Sequence, residues 1–89
     1  MSIEITKCIK IEKYEDIKRL VEITSKIEGD VTIKRGKYVI DGKSIMGILS
    51  IDLSQGVFIE YPENAAELTE FLRPFLVAFV EINERSRNK

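Results

Sequence analysis

The sequence predicts an α+β fold: a four-stranded antiparallel sheet with three helices on one face, in the order β-α-β-β-α-β-α. Three observations carry that expectation. Near the N-terminus apolar residues alternate with polar ones, the period of a half-buried strand. Further on, apolar residues recur every three or four positions, the period of a helix that buries one face. Between these stretches, glycine- and proline-marked turns separate short runs rich in β-branched and aromatic residues. Helices laid across one side of a sheet would bury every apolar stripe so found.

Ile3, Ile5, Ile9 and Ile11 share one face of the first run, with Glu4, Thr6, Cys8 and Lys10 opposite and Lys7 breaking the apolar series once. This is the first strand. Over residues 14–27 the period changes. Ile17, Leu20, Val21, Thr24 and Ile27 form a stripe, while Lys18, Arg19, Glu22 and Lys26 face away. Glu15 and Asp16 in its first turn suit the positive end of a helix, and Gly29-Asp30 stops it. Val31 and Ile33 begin a second strand, residues 34–37 make a tight hairpin, and residues 38–40 return.

Gly42 leads into a second helical stretch with Ser44 at its start. Ile45, Ile48, Leu49 and Leu53 follow at roughly helical spacing. Residues 57–61 alternate again as the last strand, which Pro62 closes. Asn64 stands where a cap would, before a final helix over residues 65–84. Its stripe is Ala65, Leu68, Leu72, Phe75, Leu76, Phe79 and Ile82, interrupted by Pro74. Proline inside a helix costs about 3 kcal/mol. Burial of Leu72, Phe75, Leu76 and Phe79 returns about 1.5–3 kcal/mol each, so the expectation is one kinked, continuous helix.

Composition narrows the function. Eighty-nine residues, 44% hydrophobic and 33% charged, suit one globular domain over residues 1–89 and are too apolar for a disordered chain. The net charge is −1, from 14 basic and 15 acidic residues, which lends nucleic-acid binding no support. The single Cys8 cannot form an internal disulfide, no apolar run has signal-peptide character, and none reaches the roughly 18 residues of a membrane span. A cytoplasmic address without membrane attachment is expected. There is no histidine, which removes histidine metal ligation, acid–base catalysis and phosphorylation together. The sequence shows no metal-ligand cluster, nucleophile–base pair or phosphate-binding glycine loop, so no metal, cofactor or enzymatic activity is expected. Tyr14, Tyr38 and Tyr61 read as amphipathic packing residues.

The chemistry concentrates at Ser44. A serine at an N-cap places its hydroxyl where unpaired backbone N–H groups point, a favourable place for a bound or covalent phosphate, although by capping preference alone a serine there is more often simply a cap. Gly47 within the same turns either lets a partner approach the backbone closely or eases packing.

The run KSIMGILS over residues 43–50, followed by Gln55-Gly56, resembles the regulatory-serine region of HPr, the histidine-containing phosphocarrier protein of the bacterial sugar phosphotransferase system. LVEITSKIEGDVTI, residues 20–33, resembles the end of that family's first helix and its second strand. The resemblance covers about the middle half of the chain. It implies the open-faced β-sandwich of that family. It also places the family's phosphohistidine motif, Gly-Ile-His-Ala-Arg-Pro-like, on residues that depart from it. The histidine position falls on Lys13, the arginine position on Glu15 and the proline position on Asp16. An anion at that helix start would face two carboxylates.

HPr relatives exist in which only the serine is modified, by a dedicated kinase, and the phosphorylated form acts as a regulatory corepressor. By that resemblance Ser44 is the modified group, and Lys43, Ile45, Met46, Gly47 and Leu49 form the partner-binding surface, with Lys43 partly neutralising the phosphate. The partners implied are a serine kinase, a transcription regulator or a phosphotransferase-system enzyme. A different reading makes the chain an oligomeric interaction module. Phe71, Val77, Ala78 and Val80 lie off the core stripe of the last helix, which leaves apolar surface for a homodimer. A phosphocarrier acting through Lys13, Glu15 or Asp16 has no motif behind it.

Overall fold

The structure, a computed structural model, describes residues 3–78. Its elements in chain order are β1 (Glu4–Ile9), α1 (Tyr14–Thr24), β2 (Thr32–Arg35), β3 (Tyr38–Asp41), α2 (Ile45–Leu49), a 3₁₀ turn (Leu53–Gln55), β4 (Val57–Pro62), α3 (Ala66–Leu72) and a second 3₁₀ turn (Arg73–Phe75). The strands form one antiparallel sheet in the order β1-β4-β2-β3. The expected α+β class and strand pairing are both present.

Register explains which side is buried. Ile5 lies opposite Tyr61, Ile9 opposite Val57, and Ile33 opposite both Ile59 and Ile40. Side chains alternate across a strand, so these residues share one face. Leu20 and Ile23 of α1, Ile48 of α2, and Leu68 and Leu72 of α3 complete the core there. Thr6, Cys8, Phe58, Glu60, Thr32 and Lys34 fall on the open face, where Lys34 and Glu60 make an ion pair of 3.6 Å. Tyr61 is fully buried, and its hydroxyl and that of Thr69 lie 2.9 Å apart, which ties the central strand to α3. Gly36 supplies the positive φ, 58°, of the two-residue β2–β3 turn.

Several boundaries differ from the sequence expectation. α1 stops at Thr24, because Lys26 and Ile27 bond back three residues rather than four and tighten the chain into a turn. Ile23 is buried in the stripe and Ile27 is only half-buried. Ile3 precedes β1 and is 65% exposed. Asn64 does not cap α3 with its side chain; Ala65 holds the cap position, and the Asn64 carbonyl accepts the Ala66 N–H. The helix begun at Ser44 ends at Leu49, and Leu53 enters the core from the separate 3₁₀ turn.

The largest correction concerns the C-terminal segment. The kinked continuous helix is not formed: α3 ends at Leu72, Pro74 sits in the 3₁₀ turn, and Leu76 is extended at ψ 139°. The burial that argued for a helix is met in another way. Phe75 packs on Phe71 in a tilted pair with ring centroids 5.2 Å apart, and both pack against the core. The Lys10 N–H donates to the Phe75 carbonyl and the Val77 N–H to the Cys8 carbonyl, both at 3.0 Å, so β1 supplies the hydrogen bonds a helix would have made. Val77 and Ala78 therefore lie beyond the helix, and the helical surface expected to carry a homodimer is absent over residues 73–78. Phe79, Val80 and Ile82 lie outside the described residues. Among the described residues no helix is long and apolar enough to cross a membrane.

One titration follows from the first 3₁₀ turn. The Asp52 carboxylate accepts the Ser54 hydroxyl at 2.6 Å and the Ser54 N–H at 3.0 Å, and these bonds, the hydroxyl first, hold its pKa below the ordinary 3.8. A lowered carboxylate pKa means the cap's stabilisation is complete above pH 3.8 and fades as pH falls through the lower folded value. An NMR titration of the Asp52 carboxyl carbon should show a midpoint below 3.8, and Ser54→Ala should return it toward that value.

Candidate functional site

The turn between β3 and α2 is built from unusually close contacts. Asp41 Oδ1 accepts the Lys43 N–H at 2.9 Å, and the Asp41 carbonyl accepts the Ser44 N–H at 3.1 Å. The Gly42 N–H donates to the Val31 carbonyl at 2.7 Å. A Cβ on Gly42 would stand 2.5 Å from Val31 Cγ1 and 3.0 Å from the Val31 carbonyl oxygen, so only glycine fits. The buried Thr24 hydroxyl donates to the Gly42 carbonyl at 2.7 Å, and Lys43 Nζ donates to the Ile27 carbonyl at 2.7 Å. Both ties run back to the end of α1.

These contacts set Ser44 at the N-cap of α2, as the sequence predicts. Its backbone is extended, at φ −104° and ψ 110°; its Oγ accepts the Gly47 N–H at 3.1 Å and its carbonyl accepts the Ile48 N–H at 3.0 Å. The Ile45 and Met46 N–H groups, at the first two helical positions, have no intrahelical acceptor available to them. Ser44 itself is half-buried. Gly47 packs against β3, where an added Cβ would lie 2.7 Å from Ile40 Cγ2. That close approach accounts for the glycine through packing. Lys43 adjoins Ser44 in sequence, but its ammonium is engaged with the turn after α1.

α2 buries Ile48 completely and turns Met46, 79% exposed, and Leu49, 48% exposed, to the surface, with Ile45 half-buried beside them. A cap hydroxyl thus stands at the start of a five-residue helix that turns an apolar pair to the surface.

The start of α1 is different in character. Lys13 holds the N-cap position without a side-chain cap bond, and its carbonyl accepts the Asp16 and Ile17 N–H groups. Glu15 and Asp16 fill the first turn. Lys10, Glu12, Lys13, Asp16 and Phe75 line an open depression of about 310 Å³ there. Two ammonium and two carboxylate groups in one depression offer no net attraction to phosphate. Among the described residues no hydrogen bond or ion pair joins Lys13, Glu15 or Asp16 to Ser44. Nor does any group of three His, Cys, Asp or Glu there form a metal site.

Sequence reasoning did not foresee that Thr24, Gly42 and Ile40 position the serine. Thr24 carried a partial signal, since a hydroxyl inside an apolar helical stripe must find an acceptor. Its partner eighteen residues away was not readable.

Thr24→Val keeps the shape and leaves the Gly42 carbonyl buried without a donor, which should lower stability by about 1–3 kcal/mol in urea unfolding. Gly47→Ala should destabilise by overpacking against Ile40, a cost of about 1–3 kcal/mol offset by about 0.5–1 kcal/mol of helix preference. In an Ile40→Ala background that cost should disappear, giving a coupling on the order of 1 kcal/mol in the double-mutant cycle.

A protein-family model described as the PTS HPr component phosphorylation site matches residues 16–74, a span that begins just after Lys13 and Glu15 and includes Ser44. Among solved structures the chain resembles the crystal structure of a phosphocarrier protein HPr from Bacillus anthracis str. Ames. The TM-score is 0.62 at 21% identity, over 83% of this chain and 98% of that one, a likeness of fold. No curated protein matches.

Proposed function

The chain belongs to the family of HPr components of the phosphotransferase system, and from that premise we propose that it is a non-catalytic, cytoplasmic regulatory protein that binds protein partners and is switched by phosphorylation of Ser44. One observation carries the reading: Ser44 caps α2, the short helix that turns Met46 and Leu49 to the surface. The chain has no histidine to accept a phosphoryl group, and Glu15 and Asp16 occupy the start of α1, so phosphoryl relay through that end is not part of the role.

In the proposed step a kinase transfers the γ-phosphoryl group of ATP to Ser44 Oγ, releasing ADP and the hydroxyl proton. The product adds about −1.5 to −2 charges and three acceptor oxygens. The Ile45 and Met46 N–H groups are the nearest donors without intrahelical partners. Lys43 would neutralise part of that charge once its ammonium left the Ile27 carbonyl. The partner then meets an anion, which an arginine can grip, next to the apolar surface of Ile45, Met46 and Leu49. Gly47 contributes by holding α2 against β3 rather than by touching the partner. A serine kinase, a transcription regulator and phosphotransferase-system enzymes are the partners this chemistry suits.

Incubation with an HPr serine kinase and ATP should place one phosphate on Ser44, read by mass spectrometry, and none on Ser44→Ala. An unmodified wild-type chain would remove the switch. Capture from cell extract should then give different partners for Ser44→Asp and Ser44→Ala, and Met46→Lys should weaken the Ser44→Asp set.

A further inference from the structure

β3 is one edge of the sheet, and among the described residues no strand lies on its outer side. Its backbone groups divide between two directions. The Gly42 N–H donates to the Val31 carbonyl at 2.7 Å, so in an antiparallel ladder Ile40 and Tyr38, two and four residues back, also turn toward β2. The N–H and C=O of a trans peptide point opposite ways. Val39 and Asp41 therefore aim their N–H groups outward, and Lys37 and Val39 their carbonyls. Among the described residues no hydrogen bond reaches these four groups. The Asp41 carbonyl also points outward, but it accepts the Ser44 N–H at 3.1 Å.

The side chains along this edge are apolar where edge strands are ordinarily guarded. Tyr38 is 60% exposed and Val39 65%, and Ile40 beside them is half-buried. β3 pairs with β2 in unbroken register, without the bulge or proline that blunts an edge. Charge is confined to its two ends, Lys37 in the turn that precedes it and Asp41 at its close. Both are exposed, and neither is in an ion pair among the described residues. A strand that is basic at one end and acidic at the other complements a copy of itself laid antiparallel.

We propose that β3 is a self-association edge, where a second copy of this chain pairs antiparallel about a two-fold axis at Val39. In that register each Val39 exchanges both hydrogen bonds with the partner's Val39, and each Asp41 N–H donates to the partner's Lys37 carbonyl. All four outward groups are then satisfied. Tyr38 falls opposite the partner's Ile40 on the core side, and Val39 beside its equivalent on the open side, so the pairs are apolar throughout. Lys37 comes level with the partner's Asp41. An axis at Ile40 spoils each of these. Val39 would then oppose the partner's Asp41, Lys37 would come level with the partner's Lys43, and the Val39 N–H would meet a carbonyl that Ser44 already occupies. An axis at Tyr38 would carry Asp41 beyond the partner's turn. Four residues a side make a small interface, so the association is weak. It needs no change at Ser44.

The test is sedimentation equilibrium on the full chain, with amide NMR at the same concentrations. The mass should rise from that of the monomer at about 10 μM toward that of the dimer at about 1 mM. The Val39 and Asp41 amides should shift with concentration, and those of Tyr38 and Ile40, bonded to β2, far less. Val39→Pro removes an outward N–H that β2 does not use. It should leave a monomer at every concentration, with the Ile59 amide in β4 still protected from exchange to certify the fold. Lys37→Glu brings two carboxylates together at each end of the pairing and should weaken association about fivefold or more. A monomer mass persisting at about 1 mM would overturn the proposal. So would a dimer that Val39→Pro and Lys37→Glu leave unchanged, because the contact would then lie on another surface.

Discussion

The hydrogen bond from the Thr24 hydroxyl to the Gly42 carbonyl decides where Ser44 stands. It is buried, so neither group can turn to water instead, and an unmatched carbonyl there would cost about 1–3 kcal/mol. Gly42 cannot carry a side chain because Val31 already fills that space. The corner between β3 and α2 is therefore held from two sides, by α1 and by the residue that leads into β2. α1 is itself anchored through Leu20 and Ile23 in the core. The start of α2 thus inherits its position from the most deeply packed part of the molecule, and a five-residue helix with little stability of its own stays in place.

What the sequence made legible was mostly local. The alternation of β1, the stripe of α1, the hairpin and the Ser44 cap all depend on neighbours a few residues apart, and all are present. The failures came where distant groups competed. Weighing Pro74 against the burial of Leu72, Phe75, Leu76 and Phe79 assumes that burial requires a helix. The open edge of β1 supplied an alternative, so Phe75 reached the core without one. Gly47 illustrates the same limit at the candidate site. A glycine in a helix is compatible with packing or with a partner's approach, and only the position of Ile40 distinguishes them. The Ser44 cap was readable because capping is a short-range event; its tether to Thr24 was not, because nothing in residues 42–44 names the acceptor's donor.

The two helix starts that matter to this family differ in charge. α1 opens with Glu15 and Asp16, beside Glu12, whereas α2 has no acidic residue in its first turn. A phosphate would meet a balanced set of ammonium and carboxylate groups at one and open backbone N–H groups at the other. Under the proposed role the chain is a member of the phosphocarrier family in which relay and regulation have come apart, with the regulatory end kept chemically receptive.

The close fit of Gly47 against Ile40 has a consequence for how such a surface diversifies. Beneath α2 the packing is intolerant of change, since Ile48 is fully buried and the Gly47 α-carbon lies on the strand. Above it, Met46 and Leu49 project outward with little structural duty. Under the proposed role, drift at positions 46 and 49 would retune recognition without taxing the scaffold, so duplicated copies of such a gene would be free to acquire separate clients while inheriting one unaltered frame.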